Sequence, residues 1–266
     1  MKKYYFIAGL HRSGATLLSS ILNQNQRFYS GPLTPVLDIM RNIESNIPTI
    51  EHYKSSPKPI SAHKIISSVI GNYYHDIDCP VIFDKNRDWP RQINYIEQYI
   101  GQRAKIICPV RDISEILTSF LTLIHKTYDG INFNVIDIAV IEKEFPLTDY
   151  NRCDVILNTF LGNAMRHIQF ALDNNLLDRI LFVEYKDLVS NPYDTMNSIY
   201  NFLGEDIYDH DFDHIQNNNQ VEDTGYYNLP GLHDIRSKIE YQSKDPKEVL
   251  PKEILERCRG MEFWRD

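Results

Sequence analysis

The sequence predicts one α/β domain over residues 1–266, with a central parallel sheet flanked by helices. Three observations lead there. The chain opens as strand, glycine loop and helix. Short apolar runs then alternate with segments of helical spacing. Polar or charged residues stand directly after several of those runs, at the edge where an open parallel sheet binds ligands.

Taken in order, Tyr4 to Ala8 is an aromatic-rich apolar run closed by Gly9, the pattern of a buried strand. From Thr16 to Leu22, the residues Leu17, Leu18, Ile21 and Leu22 take helical spacing. Val81 to Phe83 reads as a second strand, ending at Asp84-Lys85-Asn86. Lys105 to Val110 is a third, ending at Arg111-Asp112, after which Ile113, Ile116, Leu117 and Phe120 mark a helix starting near Ser114. Arg179 to Val183 is a fourth, ending at Glu184-Tyr185-Lys186-Asp187. Pro192 then opens a helix carrying Met196, Ile199, Tyr200 and Leu203, which Gly204 stops. Ile47 to Pro59 holds three prolines among polar residues and reads as a loop. Residues 206–240, rich in Asp, Asn and His, form a long segment expected to act as a lid or binding loop. Glu253 to Trp264 reads as a closing helix.

Composition narrows the function classes. At 266 residues, with 42% hydrophobic and 24% charged residues, the chain is long and apolar enough for one substantial core. A net charge of −8 is the wrong sign for gripping a nucleic-acid backbone, so an anionic ligand must be held locally. The four cysteines are widely spaced and lack a C-x-x-C pair, so neither a zinc site nor a disulfide framework is expected; Cys108, inside an apolar run, reads as core. The apolar start is too short for a signal h-region, and no run reaches a span of about 18 apolar residues. The expectation is a soluble, reducing, cytoplasmic setting without membrane partners. No feature specifies an oligomeric state.

The loop Gly9-Leu10-His11-Arg12-Ser13-Gly14-Ala15-Thr16 carries the functional signal. Its spacing is that of a nucleoside-triphosphate loop, but Ala15 stands where the phosphate-binding lysine belongs. The glycines still let the backbone curl round an anion, the following helix still aims N–H groups at it, and Arg12 supplies a cation. The loop therefore suits a terminal anionic group on a nucleotide.

Residues Phe6 to Leu17 resemble the 5′-phosphosulfate loop of sulfotransferases that use 3′-phosphoadenosine 5′-phosphosulfate (PAPS), of form G-x-P-(K/R)-S-G-T-T, with His11 for proline and Ala15 for threonine. Lys105 to Asp112, with Ser119 eight residues after Arg111, resembles that family's 3′-phosphate site, and an arginine fork beside a hydroxyl suits a phosphate monoester. Phe182 to Pro192 resembles the family's Y-E-D-L block, in which the tyrosine, here Tyr185, lies by the nucleotide. Phe83-Asp84-Lys85-Asn86 resembles the D-K-x-P strand end of the protein-tyrosine and related branch, whose lysine faces the transferring group; here Arg87 follows instead of proline.

The resemblance implies the P-loop-like sulfotransferase fold and sulfuryl transfer from PAPS to an acceptor hydroxyl on a small molecule, carbohydrate or peptide tyrosine, with no metal. It implies donor contacts from His11, Arg12, Ser13, Gly14, Ala15, Thr16 and Leu17, from Arg111, Ser119 and Tyr185, and from Arg236 and Lys238 on a late basic loop. Arg12 and Lys85 would serve the sulfuryl group. The base is open among His63, Asp84 and His11, because Ser30 to Pro35, where the protein-tyrosine branch has a glutamate, holds no carboxylate; His233 is ambiguous between lid and surface. Two other readings stand beside this one: a small-molecule kinase, in which Asp84 would hold magnesium, and a non-catalytic nucleotide-binding module.

Overall fold

In the computed structural model, which describes residues 2–128, 130–217, 221–241 and 243–265, five strands form one sheet: β1 (Lys3–Ile7), β2 (Phe28–Leu33), β3 (Val81–Lys85), β4 (Ile106–Val110) and β5 (Ile180–Glu184). Their order is β2-β3-β1-β4-β5, with every pair parallel. The first strand of the chain is thus the central one, which puts the loop after it in the middle of the ligand-binding edge.

Both faces of the sheet are buried. Along each strand successive side chains point to opposite faces. Phe6, Ile82, Ile106 and Cys108 belong to one core, and Tyr5, Ile7, Phe83 and Ile107 to the other. The first core is covered by α2 (Val36–Asn46), α3 (Pro59–Tyr73), α4 (Ile113–Thr127), α5 (Val135–Ile141), α6 (Asp149–Asn158) and α7 (Phe160–Asp173). The second is covered by α1 (Ala15–Leu22), α8 (Tyr185–Ser190) and α9 (Pro192–Leu203). Gly204 ends α9 in the left-handed conformation, at φ 71°.

Several expected boundaries move. β3 continues through Asp84 and Lys85, both buried, because the two charges have partners inside the fold. β2 is an additional strand; its Gly31-Pro32 pair disguises it, and it tolerates the proline as an edge strand. The region 47–59 holds short helical turns at Ile47–Thr49 and Glu51–Ser55. The closing helix is Lys252–Cys258, shorter than expected, followed by a turn. Most of 206–240 is irregular; residues 218–220 within it lie outside the described residues. The four cysteines are free. Among the described residues no helix is long and apolar enough to cross a membrane.

Gly9 has φ 127°, and a Cβ there would lie 2.3 Å from the Pro109 carbonyl oxygen. No side chain fits between this loop and β4. Gly9→Ala is expected to destabilise the fold by about 3 kcal/mol or more, combining backbone strain with overpacking. Equilibrium denaturation with urea measures this.

Candidate active site

The loop from Gly9 to Thr16 crosses from β1 to α1 over the sheet edge. Arg12 takes a left-handed conformation at φ 56° and Gly14 another at φ 88°. Gly14 is the N-cap of α1 and offers no side-chain hydrogen bond, so the amides of the first turn are left for a ligand. A Cβ on Gly14 would meet the Tyr185 ring at 2.8 Å, which requires glycine at this close approach. Ser13 is buried, its hydroxyl turned inward to the Leu10 and Pro109 carbonyls at 2.6 and 2.8 Å. Ser13 therefore shapes the loop with its side chain and, unlike Arg12 and Gly14 on either side of it, does not line the cleft.

The loop floors a cleft of about 1460 Å³. His11, Arg12, Gly14, Ala15, Thr16, Leu17, Arg111, Ser119, Tyr185, Arg236 and Lys238 all line it. Arg12 joins the two anion sites read from the sequence. Its Nε donates to Ser119 Oγ at 3.0 Å, and Arg111 donates to its carbonyl at 3.2 Å. Arg111 stacks 4.3 Å over the Tyr185 ring and pairs through Nε with Glu115 at 2.8 Å. Asp112 caps α4 by accepting from the Ser114 and Glu115 amides, which fixes the bearing of Ser119 two turns on. Arg236 and Lys238 are exposed and pair with Glu240 and Asp213 on the surface.

A smaller chamber of about 120 Å³ opens beside the loop, lined by Thr16, Leu33, Lys85, Arg87, Tyr227 and His233 among others. The strand alternation decides which half of Asp84-Lys85 reaches it. Lys85 points to the α1 side, 3.4 Å from Ser19 Oγ, and burial followed by the nearby Arg87 cation pushes its ammonium down to about 7. Asp84 points the other way and is fully buried. It accepts from Thr34, Tyr74 and the Trp89 indole at 2.7, 2.8 and 2.8 Å. These three donors satisfy the carboxylate inside the core, so it does not reach the reacting edge.

His63 is likewise away from the cleft. It is exposed on α3, stacked on Tyr99, with Nε2 at the Gln98 carbonyl. His11 lines the cleft between Phe120 and Phe160, and its Nδ1 has no hydrogen-bond partner. Burial, then Arg87 and His233, hold its ring neutral, well below the ordinary imidazole range.

Two residues that line the chamber, Arg87 and His233, are given no role by the sequence motifs. Arg87 lines both cavities. His233 is clamped by Asp223: its backbone amide donates to Oδ2 at 2.9 Å and its Nδ1 bonds to Oδ1. Nε2 has no hydrogen-bond partner among the described residues. His233 is ten positions from Asp223, within an irregular segment, so only the fold reveals the pair. Burial, with Lys85 and Arg87, lowers the His233 pKa against the opposing effect of Asp223. The preceding Leu232 carbonyl accepts from Arg12, tying this segment to the loop.

Two basic centres, an uncapped helix terminus and an oriented imidazole on one sheet edge suit transfer of an anionic group from a nucleotide. Among the described residues no group of three or more His, Cys, Asp or Glu is placed to hold a metal. A sequence profile described as a sulfotransferase domain matches residues 2–250. A solved sulfotransferase domain from the curacin biosynthetic pathway superposes with TM-score 0.52 at 15% identity, over 98% of this chain and 92% of that one. The sulfotransferase domain of the olefin synthase of Synechococcus PCC 7002 gives TM-score 0.52 at 18% identity, over 100% and 96%. Comparison with curated proteins finds no match. The fold is that of these sulfotransferase domains, and the chain belongs to the sulfotransferase domain family.

Proposed function

We propose that the protein transfers a sulfuryl group from PAPS to an acceptor hydroxyl. One observation carries the reading: Arg12 connects two anion sites in one cleft, the uncapped α1 terminus and the Arg111–Ser119 pair. A donor with a 5′-phosphosulfate and a 3′-phosphate needs both. A kinase has no use for the second site, and Ala15 leaves a triphosphate without its lysine.

The residues fit the donor in detail. The amides of Ser13 to Leu17 and the Arg12 guanidinium would hold the phosphosulfate, and Arg111 and Ser119 the 3′-phosphate, with Tyr185 flanking. Segment 206–240 would close over the nucleotide, bringing Arg236 and Lys238 to it. Lys85 would face the bridging oxygen, where charge develops as its bond to sulfur breaks. His233 Nε2 takes the acceptor proton while the new sulfur–oxygen bond forms; Asp223 fixes the Nδ1–H tautomer and steadies the imidazolium. The proton then passes to solvent. His11, held neutral by burial, serves as a wall of the cleft rather than as the base.

Two measurements test this. Labelled sulfate should move from PAPS to a hydroxyl acceptor in a panel; absence of any donor binding would refute the reading. Titration with adenosine 3′,5′-bisphosphate (PAP) tests the 3′ site. Arg111→Ala should weaken binding about 10- to 100-fold, the loss of charged hydrogen bonds. Glu115→Gln should strengthen it roughly two- to fivefold, because the Glu115 carboxylate now occupies Arg111 and competes with phosphate.

A further inference from the structure

Arg87 is a feature of the site that the proposed donor does not account for. It stands where the resembling strand-end motif has proline. It is partly buried at the junction of the cleft and the chamber, and burial pushes its guanidinium down to about 10. Among the described residues it has no ion pair or hydrogen bond. The carboxylate that acts on it from a distance, Asp88, is already engaged, pairing with His167 at 3.0 Å and Arg41 at 3.8 Å. A buried cation without a counter-ion costs several kcal/mol unless a ligand supplies the anion.

The surroundings say what kind of ligand. His11, whose charge is opposed by Arg87, has an unpartnered Nδ1, and Thr122 on the same cleft wall has an unpartnered Oγ1. The walls between these polar points are apolar and aromatic: Phe120, Leu123, Val135, Phe160 and Tyr226. The donor reading assigns Lys85, Arg12 and the loop amides to the sulfuryl group, which leaves Arg87 for an anion on the other substrate.

We propose that the hydroxyl acceptor has an apolar, aromatic-sized body bearing an anionic oxygen group, a carboxylate or phosphate, and that Arg87 binds that group. The fork of Arg87 would hold either bidentately, orienting the hydroxyl toward His233. This rests on the sulfotransfer reading, which places the donor in the remainder of the cleft.

The test is a calorimetric titration of the full chain, with and without saturating PAP, using 4-hydroxyphenylacetate, 4-hydroxyphenyl phosphate and the neutral 4-hydroxyphenylacetamide. Wild type should bind one of the anions at least about tenfold more tightly than the amide, and Arg87→Met should abolish that preference. An equal Kd for PAP in the two proteins reports that the variant is folded. The proposal is overturned if wild type does not prefer either anion, or if the preference survives in Arg87→Met. Failure to bind PAP falls on the donor reading alone, because the anion preference is also read without nucleotide.

Discussion

Lys85→Met is expected to lower kcat for sulfuryl transfer by about 100- to 1000-fold while leaving PAP affinity within a fewfold of wild type, the pattern of a lost contact to charge that develops in the transition state. PAP lacks the sulfuryl group, so it reads only the ground-state donor contacts. The pH dependence separates Lys85 from its neighbours. A lysine is charged below its pKa and neutral above it. With burial and Arg87 setting that value near 7, the free enzyme loses the cation as pH rises through about 7. The profile of kcat/KM for PAPS should therefore fall on the alkaline side from about pH 7, well below an ordinary lysine. Donor binding at pH 8 should take up a proton, visible as a dependence of the calorimetric heat on buffer. In Lys85→Arg the alkaline fall should disappear, since guanidinium stays charged throughout. An unchanged profile in Lys85→Arg would assign the limb to another group.

The same lysine illustrates how far residues alone carry the argument. The strand end Asp84-Lys85 is visible in the sequence, which offers both residues as catalytic candidates. Only the pleat separates them. One residue of offset sends Lys85 to the α1 face and Asp84 into the opposite core, where Thr34, Tyr74 and Trp89 hold it. The Gly9–Thr16 loop, Arg111 and Tyr185 could be placed at the cleft from the sequence because each lies next to a strand end, and Ser119 because it stands two helical turns beyond one. β2 was hidden because an edge strand accepts Gly31-Pro32, a pair that reads as a turn. His233 and Asp223 were hidden for a different reason. Their segment has no periodicity, and its shape comes from local turns, such as the Leu229 amide donating to the Asp223 carbonyl, together with side-chain contacts such as Glu222 accepting from the Gly225 amide. Nothing in the order of residues announces that it folds back on Arg12.

That fold-back makes the base removable without touching the donor site. His233→Gln is expected to lower kcat by about 100- to 10,000-fold, the range for loss of a positioned acid–base group, with PAP binding intact. Asp223→Asn should act in the same direction but less, because it leaves the imidazole in place and weakens control of its tautomer. A purely structural role for the pair would instead lower thermal stability and kcat together and leave the pH profile unmoved. The sign of the acid limb is set by the environment of the ring. Burial, Lys85 and Arg87 lower the His233 pKa, so the ring stays neutral, and competent as a base, to a pH below the ordinary imidazole range. The activity of wild type should accordingly persist into mildly acidic solution, and the acid limb should vanish in His233→Gln. Because the Leu232 carbonyl is bonded to Arg12 and the next residue is the proposed base, displacement of the 221–241 segment would withdraw that base and uncover the loop in one movement. In the proposed mechanism, proton abstraction would thereby be tied to a closed site, which would keep water from taking the place of the acceptor at the sulfuryl group.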